Sequence, residues 1–142
     1  MEYAFWDSSA IVSLCIQHQT KPIVRGLISR YKIAVWWATP VEIHGAIERL
    51  RRAGEITASE HAGALVEAAF FRGGWREMTP YDAVRDEAEQ MLDRFPLKAA
   101  DALQLAAALS WCNGKPQGRA FISGDAQLLR VAENLGFQTI TA

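Results

Sequence analysis

Apolar residues along the chain change between two spacings, and the change predicts the elements. Contiguous apolar runs rich in β-branched and aromatic residues, Tyr3–Trp6, Ile33–Trp37 and Arg119–Ser123, read as buried strands. Trp75–Met78 and Phe137–Ile140 are shorter candidates of the same kind. Between them helical spacing takes over. Asp7-Ser8-Ser9 opens a helix over Ser9–His18, and Pro22 opens a second to about Tyr31. Thr39-Pro40 starts a third, with Thr as cap and Pro in the first turn. Its stripe is Ile43, Ala46, Ile47 and Leu50, with Arg49, Arg51 and Arg52 outside it, and Gly54 ends it. Thr57-Ala58-Ser59-Glu60 is a capping box for a helix through Leu65 and Ala69 to Phe71, so the pair forms a helical hairpin that Gly73-Gly74 closes. Thr79-Pro80 opens a helix to about Phe95, Pro96 separates it from Lys98–Trp111, and Asp125–Leu135 is the last helix.

Strands alternating with helices are parallel strands joined by helical crossovers. The predicted fold is α/β, three layers with helices on both faces of a mainly parallel sheet of four to five strands. No repeat, low-complexity tract or linker interrupts the 142 residues. A chain of this length buries about two thirds of its unfolded surface, so one domain over residues 1–142 suffices.

Composition narrows the chemistry. A net charge of -1 with pI near 6.3 argues against coating nucleic acid by bulk positive charge, so any such contact is local. Cys15 and Cys112 lie far apart in apolar helical contexts and match no metal or redox spacing, which predicts buried, reduced thiols suited to a cytosol. The N-terminus lacks a basic region ahead of an apolar stretch, and no run approaches the ~20 apolar residues that span a bilayer. The expectation is a cytoplasmic protein with no membrane role.

Within that background four acids stand alone. Asp7 is the only charged residue between Glu2 and Lys21, Glu42 between Lys32 and Glu48, Asp101 between Lys98 and Lys115, and Asp125 between Arg119 and Arg130. Asp101 is the most demanding, because Ala99–Leu109 is apolar nearly all round and a carboxylate there must be paired, metal-bound or neutral. Asp7, Glu42 and Asp125 each follow a strand and begin a helix, which places them at the carboxyl edge of a parallel sheet, where open α/β folds bind ligands. Each also has a plainer reading: Asp7 and Asp125 as N-caps, Glu42 closing a capping box with Thr39, Asp101 paired with Lys98. Capping and metal binding are compatible, since helix N-termini favour negative charge. Converging carboxylates raise one another's pKa or require a cation, and oxygen ligands of this kind select Mg²⁺ or Mn²⁺.

The motifs around these acids resemble the PIN-domain family, and specifically the VapC-type toxins of toxin-antitoxin pairs. Asp7-Ser8-Ser9-Ala10 is similar to the family's opening motif, and Glu42 sits in the helix of its second acid. Leu97–Ala106 resembles the third motif and Phe121–Leu129 the fourth. The resemblance implies a single PIN-like domain whose Asp7, Glu42, Asp101 and Asp125 hold Mg²⁺ or Mn²⁺ for cleavage of RNA phosphodiester bonds, with Ser123 and Ser8 supporting the acids. It also implies a homodimer and a small VapB-like antitoxin whose basic side chain enters the acidic groove.

A basic rim for RNA is available in Arg49, Arg51, Arg52, Arg72, Arg76 and Lys98, although solvated helix faces explain them equally well. Trp36 and Trp37 are read as core. The hairpin from Pro40 to Phe71 is either an antitoxin grip or plain core packing. His18, His44 and His61 match no Zn²⁺ or general-base spacing, and His44 is expected to be exposed. Two other functions compete. A haloacid-dehalogenase-like phosphatase also places an Asp after its first strand, and Lys98 and Gly124-Asp125 suit its later motifs, but Ser9 stands where it needs a second Asp. A non-catalytic module that binds RNA or protein is the other.

Overall fold

The strongest constraint on the chain is that its apolar runs must be covered on both faces, and the computed structural model, which describes residues 1–16 and 20–142, shows how. The elements are β1 (Glu2–Trp6), α1 (Ser8–Cys15), α2 (Pro22–Arg30), β2 (Tyr31–Trp36), α3 (Thr39–Arg52) and α4 (Ala58–Gly74). They continue as β3 (Arg76–Met78), α5 (Asp82–Arg94), α6 (Ala99–Trp111), β4 (Ala120–Ser123), α7 (Ala126–Leu135) and β5 (Gln138–Thr141). The expected reach of the first helix to His18 falls outside the described residues.

All pairings are parallel, in the order β3-β2-β1-β4-β5. The order reverses at β1, so the switch point lies between the carboxyl ends of β1 and β4. Side chains alternate across the sheet with period two. Phe5, Ala34 and Phe121 point to one face and pack with Met91, Leu105 and Leu128 of α5, α6 and α7. Trp6, Val35 and Ile122 point to the other and meet Ile11, Ile43 and Ile47 of α1 and α3. The three layers follow directly. Every residue of β4 is buried. Phe5 stacks on Phe121 at 6.0 Å between ring centroids, and each such side chain contributes about 1.5–3 kcal/mol by leaving water.

Several local expectations change. Gly73-Gly74 stays helical rather than breaking the pattern, because α4 must continue to return Phe71 and Trp75 to the core; glycine costs about 1 kcal/mol in a helix, and packing outweighs it. Ala38, not Thr39, is the residue preceding α3, and no Thr39–Glu42 capping box forms. Instead the fully buried Thr39 hydroxyl accepts an N–H from Gln104 Nε2 at 3.3 Å. Helix α5 begins at Asp82, two residues beyond Pro80. Trp36 is core, but Trp37 is 54% exposed, since β2 ends and the chain turns before the next inward position.

The Thr57–Glu60 capping box forms with both reciprocal bonds. Cys15 and Cys112 are buried and free, and burial pushes the Cys15 thiol up to about 12. Among the described residues no helix is long and apolar enough to cross a membrane.

Candidate functional site

The site begins with the way β1 ends. Asp7 extends the sheet by one bond, its N–H donating to the Ile122 carbonyl at 2.9 Å, before α1 starts at Ser8. Its side chain is only 4% exposed. The Ser9 hydroxyl donates to Asp7 Oδ2 at 2.6 Å and the Ser123 hydroxyl to the same oxygen at 2.9 Å. Each serine also accepts a backbone N–H from the β4–α7 turn, Ser9 from Gly124 and Ser123 from Asp125. The two turns flanking the switch point are thereby tied to one carboxylate, which accepts charge-assisted hydrogen bonds while its second oxygen takes no protein hydrogen bond among the described residues. The contact expected of Ser8 is made by Ser9; Ser8 instead lines the adjoining groove.

Glu42 stands in the first turn of α3 and is held from across the site, where Gln104 Nε2 donates to its Oε1 at 2.7 Å. Gln104 is fully buried and lies one turn beyond Asp101 on α6, so the same helix supplies one acid and the anchor of another. Asp125 caps α7, its Oδ1 accepting from the N–H groups of Gln127 and Leu128 at 2.9 and 3.1 Å. Its capping reading is therefore the observed geometry.

The electrostatics link all four acids. Glu42 is pushed up to about 7, by burial first, with the Gln104 hydrogen bond opposing and Asp7 and Asp101 adding to the rise. Asp101 is raised by burial, then by Asp7 and Asp125, with Lys98 opposing. Glu42 thus feels Asp7 and Asp101, and Asp101 feels Asp7 and Asp125, so the four carboxylates share one field. Four like charges are concentrated here, and Lys98 offsets them only in part.

An implied divalent ion fits this donor set chemically, because hard oxygen ligands and uncompensated negative charge are what Mg²⁺ and Mn²⁺ select. The group is not a closed cage: among the described residues no three His, Cys, Asp or Glu side chains are placed to hold an ion by themselves. Mg²⁺ commonly keeps several waters and touches one or two carboxylates directly, so an open acidic pocket suits it.

Beside Glu42 a groove of about 870 Å³ runs between α1 and α3, lined by Ser8, Ser9, Val12, Arg49 and Leu50 among others. The other candidate rim cations divide by environment. Arg51 donates to the Ile56 carbonyl at 3.3 Å, Arg76 lies over the Tyr3 ring at 4.5 Å, and Lys98 precedes α6 beside Asp101. The hairpin's Ile43, Ile47 and Ala64 are core, whereas Val66 and Phe70 remain exposed. His44 is exposed as expected, and His61 Nε2 lies 2.6 Å from Glu48 Oε1, joining α4 to α3.

Sequence reading assigns Gln104 no role, places Ser9 only within the opening motif and takes Thr39 as a helix cap. A buried amide in an otherwise apolar helix, three residues after Asp101, was the available signal for Gln104. Its role gives a test. Gln104→Leu keeps the volume and removes the unpartnered Oε1, but it leaves the buried Thr39 hydroxyl without its donor, so the fold loses about 1–3 kcal/mol, read from melting. Glu42 loses its donor, its pKa rises further, and Mn²⁺ affinity at pH 7 falls about 10–100-fold. Unchanged affinity by calorimetry overturns the assignment.

No family model and no curated protein matches the chain. Solved structures do. PAE2754 from Pyrobaculum aerophilum shares 20% identity at a TM-score of 0.66, over 99% of this chain and 92% of that one. VapBC2 from Rickettsia felis, bound to a DNA fragment from its promoter, shares 10% identity at a TM-score of 0.63, over 98% of each chain. These likenesses show the fold, a PIN-like three-layer α/β/α domain on a five-stranded parallel sheet.

Proposed function

We propose that the chain is a metal-dependent endoribonuclease of VapC type, the toxin of a type II toxin-antitoxin pair, cleaving RNA phosphodiester bonds at Asp7, Glu42, Asp101 and Asp125. The observation that supports it most is the convergence of these acids, each raised or flanked by another, at the switch point of a VapC-like sheet. The likeness to VapBC2 supports a VapB-like antitoxin as partner; in this reading the groove beside Glu42 is its seat, and two copies of the chain pair.

In this reading Asp7 is the fixed point. Ser9 and Ser123 hold its carboxylate in one orientation, leaving one oxygen for Mg²⁺ or Mn²⁺. Asp101 and Glu42 supply further oxygens, with Gln104 orienting Glu42. Asp125 contributes through its field while capping α7. Bound there, the ion supplies activation of water and neutralisation of charge on the phosphate, so no protein nucleophile is needed. Arg49 offers a phosphate contact within the groove.

The test is cleavage of a total small-RNA pool by purified protein with Mg²⁺ or Mn²⁺ and with EDTA. Discrete cuts that require the metal are expected. Absence of cuts across several RNA pools, with metal binding confirmed by calorimetry, overturns the reading in favour of a non-catalytic binding module.

A further inference from the structure

Trp37 is the largest side chain that the fold leaves outside. Trp36 is buried at 5% exposure, while Trp37 immediately beyond it is 54% exposed. Its backbone is nonetheless fixed, because its N–H donates to the Met78 carbonyl at 3.0 Å and extends the β2–β3 ladder. The indole therefore sits on a rigid sheet edge. With Val41, His44, Arg52 and Arg72 it lines a groove of about 510 Å³ on the outer side of α3.

The charges around this groove are unequal in their freedom. Glu77 Oε2 accepts the Trp75 indole N–H at 2.9 Å, and Glu48 Oε1 is held by His61 at 2.6 Å with His44 at 3.4 Å. No ion pair within 4 Å engages Arg52 or Arg72 among the described residues, although Arg52 is near enough to Glu48 to help hold its carboxyl low. An aromatic face flanked by two such cations suits a strand of bases and phosphates.

The groove also joins the acidic one. Val41 and Gly45 line both, so the start of α3 is a low ridge between them. A Cβ on Gly45 would meet the Arg49 guanidinium at 3.4 Å, which places a third cation on the ridge itself.

We propose that this groove is a nucleotide subsite in which Trp37 stacks on an unpaired base of the RNA, Arg52 and Arg72 take its flanking phosphates, and the strand crosses α3 at Gly45 to reach Glu42. The subsite rests on the ribonuclease reading above. Single-stranded RNA is the form whose bases are free to splay onto an aromatic platform, and each stacked base is worth about tenfold to a hundredfold in affinity.

The test uses a single-stranded oligoribonucleotide that the parent protein cleaves, with Trp37→Ala and Trp37→Phe. Trp37→Ala raises KM about tenfold or more with kcat largely kept, and Trp37→Phe restores most of the loss. An abasic nucleotide stepped along the substrate raises the parent's KM at one position and has no such effect in Trp37→Ala. A parent that cleaves while Trp37→Ala matches it in KM and in the abasic scan overturns the subsite alone. A parent that cleaves no RNA overturns the ribonuclease reading and the subsite with it. A change in oligomeric state of Trp37→Ala by sedimentation, with KM unchanged, assigns the face to a second copy of the chain instead.

Discussion

Asp7→Asn abolishes metal-dependent RNA cleavage, reducing the rate by at least about a hundredfold, and leaves the fold in place. The lower bound follows from the smaller effect expected of groups that merely hold a ligand, about 10–100-fold. Asp7 is such a group's target rather than its agent, being the carboxylate that both Ser9 and Ser123 orient. The substitution is conservative for folding. An Asn can present its carbonyl oxygen where Asp7 Oδ2 accepts both hydroxyls, so the ties between the β1–α1 and β4–α7 turns remain. What disappears is one negative charge from the acidic group. Glu42 and Asp101, both raised partly by Asp7, then titrate lower. Cleavage of the small-RNA pool, with circular dichroism melting beside it, separates the two effects. Undiminished cleavage by Asp7→Asn removes Asp7 from the site.

Glu42→Gln stabilises the metal-free protein above neutral pH. In the folded chain Glu42 titrates at about 7, against 4.5 when unperturbed. A carboxyl whose folded pKa is raised binds its proton more tightly when folded. The resulting stability is therefore fully present below about 4.5 and is lost as pH rises through about 7. The shift corresponds to about 3 kcal/mol at 1.36 kcal/mol per unit, and partial exposure reduces it to about 1–2 kcal/mol. Gln keeps an oxygen to accept the Gln104 N–H but cannot ionise. In EDTA the melting temperature of the parent falls relative to that of the variant between about pH 5 and 8, by roughly 4–8 °C. Adding Mg²⁺ reverses the order, because a ligand that binds only the folded state stabilises it and the variant has lost an oxygen donor. Parallel melting curves for the two proteins across this range in EDTA sink the claim that Glu42 is destabilised by its surroundings. The same comparison exposes the conflict built into such a site, where charges gathered for an ion oppose folding in its absence.

The sequence by itself determined the elements, their order and the edge of the sheet at which the solitary acids gather. Those follow from short-range rules: apolar runs must be buried, Thr57 and Glu60 complete each other's hydrogen bonds, Gly54 adopts the left-handed turn at φ +73, and alternating strands and helices require parallel crossovers. Even the isolation of Asp101 in an apolar helix was legible as a carboxylate that must be paired, metal-bound or neutral.

Contacts between residues far apart in the chain were decided only by the tertiary structure. Ser9 is 114 residues from Ser123, yet both meet at Asp7 Oδ2. Thr39 and Glu42, which look like a capping box in isolation, turn instead toward Gln104, 65 and 62 residues away. A local bond is open to any chain with the right spacing, but a buried amide must find partners wherever packing brings them, and here that requirement outweighed the cap. Trp37 shows the same limit from the other side: adjacent tryptophans look alike in sequence, and only the packing around the end of β2 decides that one is core and the other faces water.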